Sequence, residues 1–136
     1  MEKVSKLKTI TKISLLAYGI VSLLNAFMTI FLLDTYINPM TGWNNPLAPR
    51  QWGGTLLGIT IFTFLAVFRK KEWEQIKFAY GFLYYLIIMN LIVEDSIALI
   101  LGSTLAPAAI SQAILDTILM VVLLILGIYS YIKQKS

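Results

Sequence analysis

The sequence alternates between four long apolar runs and short polar segments. The runs cover residues 13–33, 52–68, 76–101 and 108–132. Each is close to the roughly 20 residues that a helix needs to cross a bilayer core of about 30 Å. Glu94 and Asp95 interrupt the third run, so its helix either ends at Val93 or continues to Leu101. The pattern predicts an all-α fold: a four-transmembrane-helix antiparallel bundle that forms one domain over residues 1–136.

Basic residues lie almost entirely on one side of this pattern. Ten of the eleven Lys and Arg residues precede the first run, separate the second run from the third, or follow the fourth; the exception is Arg50. Because short loops rich in Lys and Arg stay in the cytoplasm, both termini are predicted to be cytoplasmic. The small size and the charge bias favour a prokaryotic plasma membrane as the location.

Composition narrows the chemistry. The chain is 58% hydrophobic and 13% charged, whereas soluble domains keep about a quarter of their residues charged. The net charge of +4 comes from residues that flank the apolar runs, where they suit anionic lipid rather than nucleic acid. The absence of Cys and His excludes thiol chemistry, Cys/His zinc sites and His-ligated haem. We expect no metal and no cofactor, and proton chemistry would need carboxylates or Tyr.

The first run carries one polar stripe. Its members recur every three or four residues, which places them on one helix face: Ser14, Tyr18, Ser22, Asn25 and Thr29. The stripe predicts either hydrogen bonds to neighbouring helices or one wall of a ligand pocket or polar pathway.

The third and fourth apolar runs also contain polar residues, with amide and carboxyl side chains. Asn90 and Glu94 share one helix face, and Gln112 and Asp116 share another. Asp116 lies about 12 Å beyond the start of its helix, at 1.5 Å per residue. An ionised carboxylate facing lipid at that depth would cost about 3 kcal/mol or more. Asp116 is therefore expected to be protonated, paired, or facing a wet cavity.

Arg50 is the one cation predicted on the side where these acids gather. It stands just before the second run, within reach of Asp34, Glu94 or Asp116, and the inner half of the bundle is expected to be dry. A contact between Arg50 and one of these carboxylates would be an ion pair that closes the bundle. Alternatively, the region is an outward-facing site in which Arg50 binds an anionic group or Asp116 and Glu94 exchange protons. The candidate binding or proton-exchange residues are Asp116, Glu94, Arg50, Asn90, Asn25, Gln112 and Tyr18.

The segment 49–58, Pro-Arg-Gln-Trp-Gly-Gly-Thr-Leu-Leu-Gly, enters the second run. Gly54 and Gly58 are four residues apart, a spacing that lets helices approach closely, within the chain or between two copies. The segment resembles the DoxX-like group of small four-helix membrane proteins, which have a Gly-rich second helix preceded by a basic residue. The resemblance implies a four-helix bundle and, as in some members, an accessory role beside quinone-linked or maturation systems.

The sequence is compatible with three functions. The first is a non-enzymatic binding or accessory module with an outward-facing polar pocket for a lipid, a hydrophobic small molecule such as a quinone, or a partner subunit. The second is a proton- or cation-coupled transporter that works as a homo-oligomer, with Asp116 and Glu94 as the exchanging carboxylates. A lipid-directed enzyme ranks last, because the sequence supplies no activated nucleophile.

Overall fold

The computed structural model describes residues 5–37, 47–102 and 107–136. This part of the chain is almost entirely helical. It contains α-helices α1 to α5, a 3₁₀ turn, and two π-helical segments. The α-helices are α1 Thr9–Phe31, α2 Leu47–Arg69, α3 Lys77–Met89, α4 Ser96–Ile100 and α5 Pro107–Lys135; the other elements are Trp73–Gln75 (3₁₀) and Leu33–Ile37 and Asn90–Asp95 (π).

Four helices in the described part of the chain are long and apolar enough to cross a membrane. They are Thr9–Phe31, Leu47–Arg69, Lys77–Ile100 and Ile110–Lys135. Large apolar side chains also cover the outside of the bundle, as shown by Phe78 at 86% and Ile100 at 78% exposure. Such a surface is unfavourable in water and suits contact with lipid chains. The structure thus supports the predicted all-α membrane protein.

The third apolar run does not stop at Glu94 and Asp95. Helix α3 passes into the π-helical segment Asn90–Asp95 and then into α4, so that the helical path continues to Ile100. The second helix also begins earlier than expected, at Leu47. Arg50 therefore lies within the first turn of α2 and not before it.

Segments from three parts of the chain meet at one end of the molecule. The amide of Leu7 donates to the carbonyl of Lys71 (2.8 Å), and the amide of Trp73 donates to that of Ser5 (2.9 Å). The side chain of Gln134 accepts from the Lys8 amide (2.8 Å) and donates to the Lys6 carbonyl (2.9 Å). We call this the basic end, because most of the Lys and Arg residues lie in or beside these segments.

Helix α1 is the centre of the packing. It lies closest to α2 and next closest to α5, while its polar side chains reach α3. Gly19 allows the close approach of α2, since a β-carbon there would overlap the side chains of Thr63 and Phe64. Residues of α2 and α3, including Gly58 and Phe82, line an apolar groove of about 280 Å³.

Candidate functional site

A pair of carboxyl groups lies between the π-helical segment and α5. Asp95 is 3% exposed, and its side chain is in hydrogen-bonding contact with Asp116 and Thr117 of α5. Asp116 itself is half-buried. The second carboxyl oxygen of Asp95, Oδ2, is buried and has no hydrogen-bond partner among the described residues. A buried carboxyl oxygen without a partner is unusual in a folded protein and marks Asp95 as a candidate for binding a proton or a cation.

The π-helical segment determines where Asp95 points. A π turn inserts extra backbone into a helix and shifts the faces of the residues beyond it, and such turns are frequent at functional sites. Ser96 follows the segment directly, and its hydroxyl donates to the Leu91 carbonyl across it (2.7 Å). On α5, the hydroxyl of Thr117 donates to the Ala113 carbonyl (2.8 Å), which orients its oxygen beside Asp95. The irregular backbone of one helix therefore brings a carboxyl group against the regular face of another.

The negative charges of Asp95 and Asp116 restrict the states that this pair can adopt. Two carboxylates in contact repel each other, so such a pair holds a shared proton or a bound cation. The chain provides little positive charge nearby, since all basic residues except Arg50 belong to the sequence segments around the basic end. Arg50 contacts Asp34, with 3.5 Å between Nη2 and Oδ2, and the two side chains are 47% and 73% exposed. Of the three partners predicted for Arg50, the structure thus shows Asp34, in an exposed ion pair at the surface.

The other predicted site residues are dispersed. Asn90 begins the π-helical segment, Asn25 lies on α1 and Gln112 on α5, and all three are partly exposed. The backbone of Glu94 lies within the π-helical segment, but its side chain is outside the described part of the structure. Among the described residues, no group of three or more acidic side chains gathers to hold a metal ion.

Tyr18 belongs to a second polar cluster that lies closer to the basic end. Its hydroxyl donates to the Leu83 carbonyl (3.3 Å), and Leu83 precedes Asp95 by twelve residues. That separation corresponds to about 18 Å along a helix. Tyr18 is thus remote from the carboxyl pair, and the single site predicted from sequence is divided between separate places in the fold.

Four hydroxyl groups from three helices form the centre of this second cluster. Tyr80 of α3 hydrogen-bonds to Ser130 of α5 and to Ser14 of α1 (3.3 Å), and Ser14 also hydrogen-bonds to Tyr84 of α3. All four residues are at most 7% exposed. The cluster therefore adds buried hydrogen bonds near the basic end, where the sequence predicts a mainly apolar interior. The long side chains of Tyr80 and Tyr84 carry their hydroxyl groups across the bundle to these partners.

The polar stripe of α1 serves several purposes in the structure. Ser14 and Tyr18 make the hydrogen bonds to α3 described above. Thr29 bonds back to the Asn25 carbonyl of its own helix (2.8 Å), and the buried Ser22 hydroxyl has no partner among the described residues. The first half of the stripe thus joins helices, and the second half does not form a continuous polar wall.

Gly54 and Gly58 do not pack against another helix within the described part of the chain. Both are exposed, and a β-carbon on either would meet nothing within 4 Å. Their predicted role in packing inside the chain is corrected, because α1 approaches the neighbouring face of α2 through Gly53, against Thr29 and Ile30. A contact between two copies of the chain stays a prediction.

Sequence reasoning missed the pairing of Asp95 with Asp116. A regular helix from residue 76 to 101 gives Asp95 a different face from Asn90 and Glu94, and the π turn that changes this has no clear sequence signal. The sequence does contain one signal for this pairing: an acidic residue within an apolar run needs a partner, and Asp95 and Asp116 are both such residues. That argument identifies Asp116 as a site candidate, but it does not identify Asp95 as its partner.

Comparison of the chain with family models, with curated proteins and with solved structures finds no match.

Proposed function

We propose that this chain is a small, non-enzymatic multi-pass membrane protein whose working site is the Asp95–Asp116 carboxyl pair, which binds a proton or a small cation. One observation carries the proposal: a 3% exposed carboxyl group contacts a second one on another helix, and one of its oxygens has no hydrogen-bond partner among the described residues. Binding there changes the interaction between two helices, so occupancy is coupled to the packing of the bundle.

The proposed topology is an antiparallel bundle with both termini in the cytoplasm of a prokaryotic cell. The hydrogen bonds that join Ser5–Lys8, Lys71–Trp73 and Lys133–Gln134 support it, because they gather the chain ends and the link between α2 and α3 at one place. The Lys-rich character of these segments favours the cytoplasmic side. The carboxyl pair then lies toward the outer side of the membrane.

The proposed role is that of a binding or accessory module that responds to proton or cation occupancy beside a lipid, a quinone-like molecule or a partner subunit. Membership in the DoxX-like group is part of this proposal and rests on the Gly-rich entry to α2. The alternative is a proton- or cation-coupled transporter acting as an oligomer. The exposed Gly54 and Gly58 favour this alternative, because they offer a face for close contact with a second copy.

A hydrophobic carbodiimide tests the site directly, because it modifies protonated carboxyl groups in apolar surroundings. We expect peptide mass spectrometry to find the modification on Asp95 or Asp116, and sodium ions to reduce it if the pair binds a cation. Asp34 is the matched control, since it is 73% exposed and should react instead with a water-soluble carbodiimide. Equal labelling of Asp34 and the pair by the hydrophobic reagent would contradict the proposal.

Reconstitution separates the module from the transporter. Sealed vesicles containing wild-type protein should keep an imposed proton or sodium gradient if the chain is a binding module. A transporter would dissipate the gradient, and Asp116→Asn would abolish that flux while leaving the protein folded. Flux that persists in both Asp95→Asn and Asp116→Asn would exclude the pair as the exchanging group.

A further inference from the structure

A cleft at the basic end lies between the start of α3 and the end of α5. Its volume is about 530 Å³, and its walls carry both charged and aromatic side chains. The residues used below are Trp73, Glu74, Lys77, Phe78, Tyr131 and Lys135. The cleft is separate from the carboxyl pair, which is some twenty residues away along both α3 and α5.

Two lysines line the cleft, one from α3 and one from α5. The ammonium group of Lys135 lies over the ring of its own helical neighbour Tyr131, 4.4 Å from the ring centre. The ammonium group of Lys77, at the first position of α3, forms an ion pair with Glu74. The cleft therefore holds two cations and one carboxylate, and Glu74 offsets part of the positive charge.

The position of the cleft relative to the membrane favours a lipid over a soluble anion. Lys77 begins one candidate membrane-spanning helix and Lys135 ends another, so both lie where headgroups meet the apolar core. Phe78, directly beside Lys77, is 86% exposed and extends the cleft with an apolar surface. Trp73 and Tyr131 pack edge to face, with ring centres 5.8 Å apart. One ligand can thus place a phosphate between the lysines and a hydrocarbon chain along Phe78.

We propose that this cleft binds the headgroup of an anionic phospholipid, with Lys135 and Lys77 contacting the phosphate and Phe78 the first part of an acyl chain. Basic pockets between membrane helices on the cytoplasmic side are typical sites for such headgroups. Glu74 competes with the lipid for Lys77 and lowers the affinity. The inference goes beyond the proposed function and is independent of it, since it involves the opposite end of the bundle.

The chain contains a matched control for charge. Lys133 is two residues from Lys135, which places it about 200° around the helix, and its ammonium group lies over Tyr129 outside the cleft. Lys135→Gln and Lys133→Gln remove the same charge at nearly the same depth. The difference between them therefore measures the cleft itself, apart from general attraction between basic residues and an anionic membrane.

Native mass spectrometry of the full chain in detergent, titrated with phosphatidylglycerol or phosphatidylcholine, provides the test. We expect wild type to retain phosphatidylglycerol preferentially, and Lys135→Gln to weaken that binding about fivefold, the effect of one Lys near anionic headgroups. Lys133→Gln should change it little, and Glu74→Gln should strengthen it. These exposed side chains can be changed without disturbing the buried packing.

Several results would overturn the inference. Equal losses in Lys135→Gln and Lys133→Gln would show diffuse electrostatic attraction without a site. Equal retention of phosphatidylcholine, whose headgroup also contains a phosphate but has no net charge, would show that the cleft does not select anionic lipids. Displacement of the lipid by inorganic phosphate at similar concentration would identify a site for small anions, in which Phe78 and the membrane depth play no part.

Discussion

The ring of Tyr84 on α3 lies directly against the α-carbon of Gly127 on α5. A β-carbon on Gly127 would overlap three carbon atoms of that ring. Tyr84 cannot move aside easily, because its hydroxyl bonds to Ser14 and its ring contacts those of Tyr18 and Tyr80, with centres 5.8 and 4.7 Å away. The contact therefore links the polar cluster to the spacing of two helices.

Gly127→Ala is expected to destabilise the bundle by about 1–3 kcal/mol, the usual cost of overpacking a filled interior. Gly81→Ala is the matched control, because a β-carbon at Gly81 meets nothing within 4 Å. The measurement is the free energy of unfolding in mixed micelles as denaturing detergent is added. If Gly127→Ala unfolds together with wild type, the two helices are farther apart than the structure places them.

Tyr80→Phe is expected to lower the free energy of unfolding by about 1–3 kcal/mol. The substitution removes one hydroxyl group from a buried network, so that its partners each lose a hydrogen bond. The Tyr80 hydroxyl contacts Ser14 and Ser130 and also donates to the Gly127 carbonyl (3.0 Å). Tyr85→Phe removes the same group from a 52% exposed side chain and should change stability little. Similar melting temperatures for the two variants would mean that the network contributes no net stability.

Arg50→Ala is expected to change the unfolding free energy by less than about 1 kcal/mol, since exposed ion pairs are weak. Its contact with Asp34 is at 3.5 Å between side chains that are 47% and 73% exposed. The prediction separates this structure from the bundle-closing ion pair considered from sequence, because an Arg50 that neutralised Asp116 would cost several kcal/mol to remove. Thermal melting of Arg50→Ala and Asp34→Asn, singly and together, checks it.

The lengths of the apolar runs predicted the four long helices, although the second begins at Leu47 rather than at Trp52. Four apolar runs near the length of a bilayer define four long helices, and Pro107 stands at the first position of α5, where a helix tolerates it. The charge bias was also informative, since the Lys-rich segments of the sequence are those that the hydrogen bonds join at the basic end.

The arrangement of side chains between the helices could not be predicted in the same way. Which glycine faces a neighbour depends on helix rotation, and Gly53 and Gly54 differ by about 100° around α2. The π turn likewise moves Asp95 to the face of α5 without a sequence signal. Tyr80 and Tyr84 each have an apolar ring and a polar hydroxyl group. A hydropathy value therefore cannot say whether such a side chain packs through its ring or hydrogen-bonds through its hydroxyl.

The carboxyl pair supplies the last prediction. Asp95→Ala and Asp116→Ala should each destabilise the bundle, because each leaves a buried polar group of the other residue or of Thr117 without its partner. The double variant should cost less than the sum, with a coupling of about 0.5–3 kcal/mol, as expected for residues in one network. Asp95→Asn should cost less than Asp95→Ala, because an amide can still hydrogen-bond to Asp116.

The unfolding free energies of the four proteins in this cycle, measured in one detergent at one pH, give the coupling. Asp34→Ala combined with Asp116→Ala is the control pair. Asp34 is 73% exposed and pairs with Arg50, so its effect should add to that of Asp116 without coupling. Additive effects of Asp95 and Asp116 would mean that the two carboxyl groups do not touch in the folded protein. A shared proton or cation would then have no place to bind between them, and the proposed function would fail with the contact.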